Sequence, residues 1–154
     1  MLGFSFNEVM EGTVQRDGER FDRPFRFEFV VTAPSALGFF TDVVGETKGT
    51  VRIDGLAKEA FAEGTLEMSP FLKRRLRYEF RLKADDGQDY RFDGTKSISY
   101  LRPLTTWTTL PGTLYDSKGK VWGTALLRFS LRRELLSLLG SFRAVREAGG
   151  GANA

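Results

Sequence analysis

Six Gly-Thr dyads punctuate the chain, at Gly12-Thr13, Gly49-Thr50, Gly64-Thr65, Gly94-Thr95, Gly112-Thr113 and Gly123-Thr124. Each lies within or beside a run in which apolar and polar residues alternate. Threonine suits a pleated surface, whereas glycine inside a strand marks a bend, a bulge or a close backbone approach. A sheet that bends at strand after strand curls on itself. The pattern therefore predicts a closed, or nearly closed, all-β barrel.

Alternation places the strands. In the first run Phe4, Phe6, Met10, Gly12 and Val14 share a face, and Arg16-Asp17-Gly18-Glu19 turns the chain. The second sets Phe25, Phe27, Phe29 and Val31 opposite Arg26 and Glu28. Pro34-Ser35 ends it, and a short helix is expected from Ala36 to Val44, closed by Gly45. Val51 and Ile53 form a third strand that turns at Asp54-Gly55, and a fourth runs from Ala57 to Met68 with its bend at Gly64. In the fifth, Leu72, Leu76, Tyr78, Phe80 and Leu82 oppose Lys73, Arg75, Arg77, Glu79, Arg81 and Lys83. Asp85-Asp86-Gly87 leads to a sixth with Tyr90 and Phe92 inward. A seventh spans Leu104 to Tyr115, and an eighth follows Asp116-Ser117-Lys118-Gly119, with Val121, Ala125, Leu127 and Phe129 on one face.

Eight strands joined by tight turns describe an antiparallel meander of the lipocalin-like kind, and closure removes both exposed edges. The period then changes. Leu131, Leu135, Leu138, Leu139, Phe142 and Val145 recur at helical spacing, which predicts a C-terminal amphipathic helix. Trp122 and Leu126 are expected to face outward and receive it. One domain over residues 1–147 and a Gly-rich disordered tail over 148–154 complete the expected organisation.

Composition narrows the chemistry. The chain of 154 residues has neither cysteine nor histidine, which excludes disulfides, thiolate metal sites, thiol nucleophiles and the commonest general base. A net charge of +3 is too small by itself to imply nucleic acid. The opening MLGFSFNEVMEG lacks the basic start of a signal peptide, and no run approaches the roughly 18 apolar residues of a membrane-spanning helix. A soluble, cytoplasmic protein is the expectation. Nucleotide-binding glycine loops, nucleophile elbows and metal-ligand clusters are all missing, so no catalytic residue, metal or cofactor is predicted.

Candidate binding residues come from strand phase. Glu8 falls on the apolar face between Phe6 and Met10, where a carboxylate needs a partner, and Arg74 shares the inward phase of the fifth strand. Glu8 then either meets the polar end of an apolar ligand at the barrel mouth or lies near a strand end, solvated or in a structural pair. Phe27, Phe29, Tyr78, Phe80, Tyr90, Phe92 and Phe129 line the interior, with Trp107 at the mouth or against a partner. Eight strands enclose room for side chains or one small ligand, so these rings either fill the core or line a lipophilic pocket. Interface candidates are Arg75, Arg77 and Arg81 on the basic outer strand, Trp122 and Leu126, and Leu135, Leu139 and Phe142 of the helix. The basic run suits an anionic lipid surface or an acidic partner, or is simply a solvated wall. The inward aromatics of its strand argue against nucleic acid.

The stretches FNEVMEG, GTVRIDGLAKEAFAEGTLEM, RRLRYEFRLKADDGQDYRFDGTKSI and LTTWTTLPGTLYDSKGKVWGTALLRFSL span Phe6 to Leu131. Together they resemble an accessory domain that accompanies some bacterial flavin oxidoreductases of the glucose–methanol–choline type, the cholesterol-oxidase-like proteins. Phe6-x-Glu8-x-Met10-x-Gly12 is the most distinctive piece. The resemblance implies a lipocalin-like barrel working beside enzymes of hydrophobic substrates. It brings no flavin and no oxidase activity, because the flavin-binding glycine fingerprint is missing.

The expected function is a non-catalytic binding module for a sterol-like or other lipophilic molecule, or for a partner enzyme acting on one. The alternatives are a structural or assembly protein using the outer wall and C-terminal helix, as a homo-oligomer or with a partner, and a small isomerase or cyclase with Glu8 as its acid or base.

Overall fold

The computed structural model describes residues 3–99 and 108–128. Eight strands run in chain order: β1 Phe4–Arg16, β2 Arg23–Ala33, β3 Val43–Ile53, β4 Ala57–Ser69, β5 Arg75–Lys83, β6 Asp89–Ser97, β7 Thr109–Tyr115 and β8 Val121–Arg128. Each pairs antiparallel with its successor, and β8 returns to pair with β1, closing the barrel. Tracing paired residues from Phe6 through Val31, Thr47, Gly64, Phe80, Phe92, Leu114 and Gly123 leads back to β1 at Arg16, not at Phe6. That stagger is what closing a tilted sheet requires.

Glycines of the Gly-Thr dyads sit where neighbouring strand backbones approach closely. A Cβ at Gly12, Gly49 or Gly64 would lie 2.0, 1.9 or 1.9 Å from a carbonyl oxygen of the neighbouring strand. Only hydrogen fits between such closely approaching backbones. Gly94 and Gly112 serve packing instead, since a Cβ at either would strike the Phe92 ring, at 2.8 and 2.4 Å. The turn at Asp85-Asp86-Gly87 forms as its residues predict, with Gly87 at φ 85°.

Phenylalanines fill the middle of the barrel. Phe27 stacks on Phe29 at 4.7 Å, Phe80 on Phe92 at 4.9 Å, and Phe29 meets Phe80 edge-on at 4.9 Å. All four rings are sealed from solvent. Burying each contributes about 1.5–3 kcal/mol, and favourable ring geometry adds about 0.5–1.5 kcal/mol per pair. Between the two uses predicted for these rings, packing of the core is what the structure shows.

Outside, charges pair across strands. Arg77 meets Asp93 at 2.7 Å, Arg75 meets Glu67 at 3.0 Å, and Arg26 meets Glu11. Asp93 also raises the Arg77 pKa through its hydrogen bond, and Asp42 does the same for Lys73. The basic strand is thus flanked by carboxylates along much of its length.

Several expectations are corrected. In place of a helix from Ala36 to Val44 there is one 3-10 turn, Leu37–Phe40, and Val43, Val44 and Gly45 already belong to β3, paired with Met68, Glu67 and Leu66. Two adjacent β-branched residues with a waiting strand beside them favour the sheet over a helix. Val121, at the start of β8 beside the register shift between Leu114 and Tyr115, is exposed rather than buried, whereas Ala125 and Leu127 are buried as their phase predicts. Trp122 is half-buried against the core, edge-on to Tyr90 at 6.3 Å and beneath the Arg16 guanidinium at 5.4 Å. Leu126 is exposed as expected. The C-terminal helix with Leu135, Leu139 and Phe142, the tail, the start of the seventh predicted strand, Trp107 and Phe129 lie outside the described residues.

Candidate polar site inside the barrel

In an eight-stranded barrel β1 and β5 face each other, with three strands between them on either side. Glu8 projects from β1 and Tyr78 from β5. Their side chains meet in the interior: the Tyr78 hydroxyl lies 2.6 Å from Glu8 Oε1 and 2.8 Å from Oε2, and donates to the carboxylate. Lys96, on β6 beside Tyr78, donates from Nζ to Glu8 Oε1 at 3.3 Å and lies 5.2 Å from the centre of the Tyr78 ring. Tyr78 and Lys96 are each 2% exposed, whereas the Glu8 side chain keeps 11% of its surface open.

Burial raises the Tyr78 pKa well above the usual tyrosine value, and the charge of Glu8 and its hydrogen bond push it the same way. Tyr78 is therefore a neutral donor across the neutral pH range. A carboxylate in an apolar interior is tolerated only when paired and hydrogen-bonded, and Glu8 has both kinds of partner. Glu8 thus occupies the inward position read from its strand phase. Arg74 is not its partner: it is exposed in the turn before β5, at φ 54°.

Sequence reasoning missed Lys96, although its strand carried the signal. Stepping by two from Tyr90 and Phe92 passes Gly94 and lands on Lys96, on the same inward face. It also missed Thr47, which lies on β3, two strands from both β1 and β5. Thr47 is 1% exposed, and its Oγ1 has no hydrogen-bond partner among the described residues.

The other predicted residues separate into groups. Phe27, Phe29, Phe80 and Phe92 form one packed cluster, joined by Phe25 through Phe92 at 5.6 Å. Tyr90 belongs with Trp122 rather than with Glu8. Arg75, Arg77 and Arg81 stand on the outer wall, where Arg81 lies across from Glu63 and Arg91. A groove of about 1060 Å³ runs over the outside of β1 to β4, lined by Glu11, Arg26, Arg52, Lys58 and Asp85 among others. Its charges are partly spent on one another, through the Glu11–Arg26 pair and the Asp85 carboxylate that accepts from the Lys58 backbone N–H. Among the described residues no cluster of acidic side chains could hold a metal ion.

No protein-family model matches the chain, and neither does any curated protein or any solved structure.

Proposed function

We propose that the barrel is a non-catalytic binding module for a lipophilic small molecule, engaged with its polar end toward Glu8. The observation that carries this reading is a carboxylate held by Tyr78 and Lys96 beside a phenylalanine-packed core and still partly open to solvent. Tyr78 and Lys96 both donate to Glu8, which suits a fixed acceptor better than a group that shuttles protons. Phe6, two positions before Glu8 on β1, and Phe39 of the 3-10 turn are only partly buried, so a ligand would approach Glu8 from that end of the barrel. The resemblance to accessory barrels of flavin oxidoreductases adds a second candidate for what is bound, a partner enzyme handling such a molecule. Native mass spectrometry of gently purified protein, with titration by a hydrophobic fluorophore, tests the ligand. Retained lipophile and saturable binding, weakened about tenfold in Glu8→Gln by loss of a charged acceptor, are expected. A protein with no retained lipophile and no fluorophore binding overturns the reading.

A structural or assembly role is the second reading. Phe61 and Val30 favour it, being 62% and 48% exposed on the outer wall. Light scattering over a concentration series separates the two, since a strict monomer with no captured partner removes this alternative.

A further inference from the structure

The stagger of the closed sheet fixes which inward side chains share a level along the barrel axis. A circuit of the strand pairings that leaves β1 at Phe6 returns to it ten residues further on, at Arg16. Each step to the next of the eight strands therefore climbs about one and a quarter residues of β1. Thr47 is two steps from Phe6, through Val31, which raises it about two and a half residues, to the level of Glu8. Phe80 is four steps from Phe6, and Tyr78 lies two residues short of it on β5, which brings Tyr78 within about one residue of the same level. Lys96, one step beyond Leu76, joins them. Among the described residues the polar side chains sealed in the core are Thr47, Ser69 and Lys96. Ser69 is bonded to the Thr41 carbonyl, whereas Thr47 and Lys96 share the level of Glu8.

Two hydrogen-bonding groups at this level are incompletely used. The buried Thr47 hydroxyl has no partner among the described residues, and leaving such a group unpaired is costly. Glu8 Oε1 accepts from both Tyr78 and Lys96, whereas Oε2 accepts from Tyr78 alone and keeps lone pairs for a further donor. Charge is already balanced, Glu8 against Lys96. A group that completes the level must donate to Glu8, bond a hydroxyl and bring no charge. A carboxylate would face Glu8, and an ammonium would set a second cation beside Lys96. A carbonyl accepts from Thr47 but offers nothing to Glu8. A hydroxyl meets all three conditions.

We infer that the lipophile taken by this barrel is a neutral alcohol whose hydroxyl bridges Glu8 and Thr47. The alcohol donates its proton to Glu8 Oε2 and accepts the proton of Thr47 Oγ1. Its hydrocarbon part runs out past Phe6 and Phe39, the partly buried rings at that end. Tyr78 and Lys96 hold the carboxylate in place for it, one as a neutral donor and one as the balancing charge. The inference rests on the binding role proposed above and adds the chemistry of the head group and a second anchoring residue.

Displacement of bound phenylnaphthylamine, a neutral fluorophore, from the full chain at neutral pH tests this. Decanol, decanoic acid and decylamine share a hydrocarbon chain and differ in head group. Decanol should bind at least about tenfold more tightly than either charged analogue. Thr47→Val exchanges the hydroxyl for a methyl group and should weaken decanol about fivefold, one hydrogen bond's share. Its urea midpoint should equal or exceed that of the parent, because a buried hydroxyl without a partner has been removed. A lowered midpoint with unchanged decanol affinity overturns the inference and assigns the Thr47 hydroxyl to a resident water. Equal displacement by the three analogues also overturns it, while leaving a lipophile-binding barrel in place. A chain that does not bind the fluorophore at all overturns both readings.

Discussion

The hydroxyl of Tyr78 on β5 lies 2.6 Å from a carboxylate oxygen of Glu8 on β1, so one hydrogen bond joins opposite walls of the barrel. The two residues are 70 positions apart in sequence. Their contact therefore forms only once the sheet has closed and both strands hold their register.

Tyr78→Phe keeps the ring and removes this brace. Hydrogen bonds to charged groups contribute about 1.5–3 kcal/mol, so the variant should lose about that much unfolding free energy. Urea denaturation followed by tryptophan fluorescence measures it. A loss below about 0.5 kcal/mol would mean that Glu8 finds an equivalent donor elsewhere.

Alkaline pH should erode the same contribution. The folded pKa of Tyr78 is raised, chiefly by burial, while the unfolded side chain titrates near about 10. Below that pH both states hold the proton and the stabilisation is complete. Above it the unfolded state binds fewer protons than the folded one, so stability falls, by up to about 1.4 kcal/mol per pH unit from this residue. Tyr78→Phe lacks that slope. The stability gap between parent and variant should accordingly narrow between about pH 9 and about pH 11 in paired urea titrations. A constant gap would show that the phenol is not held neutral by its surroundings.

Glu8 and Lys96 should be energetically coupled. Glu8→Gln, Lys96→Met and the double variant make a cycle in which the pairwise term survives subtraction. Groups in one buried network typically show coupling of about 0.5–3 kcal/mol, and a value of at least about 1 kcal/mol is expected here. Additive single effects would instead describe two residues that share a space without interacting.

The strand plan was legible where side chains alternate visibly. β5 carries aromatics or leucines at every second position, β6 begins the same way with Tyr90 and Phe92, and Asp-Gly turns separate the runs. The upper part of β3 was hidden because its inward positions hold Gly45, Thr47 and Gly49, which offer no apolar signal, so a helix was read into its first residues. Lys96 was readable by extending the phase of β6, but a glycine interrupts the aromatics just before it. The pairing of Glu8 was not readable at all. Its inward phase is local information, whereas the choice of Tyr78 and Lys96 over Arg74 depends on where β5 begins and on how eight strands stagger around a closed wall. The exposure of Val121 was likewise hidden, since it sits at the start of β8 beside a register shift that lies in the pairing with β7.

The barrel's curvature itself can be tested at Gly64. A Cβ there would sit 1.9 Å from the Glu79 carbonyl oxygen and 2.5 Å from Phe80 Cα, both fixed in the neighbouring strand. Gly64→Ala must push β4 away from β5, and the rings beneath cannot follow without opening the core. A loss of about 3 kcal/mol or more is expected, at the severe end of single substitutions. Gly18→Ala is the matched control. It has a positive φ of 86° but no atom within 4 Å of the added carbon, so it carries only the left-handed backbone penalty of about 1–2 kcal/mol. Equal losses at the two sites, measured by urea denaturation, would mean that β4 and β5 can separate freely. The Gly-Thr dyads would then no longer explain why this sheet closes.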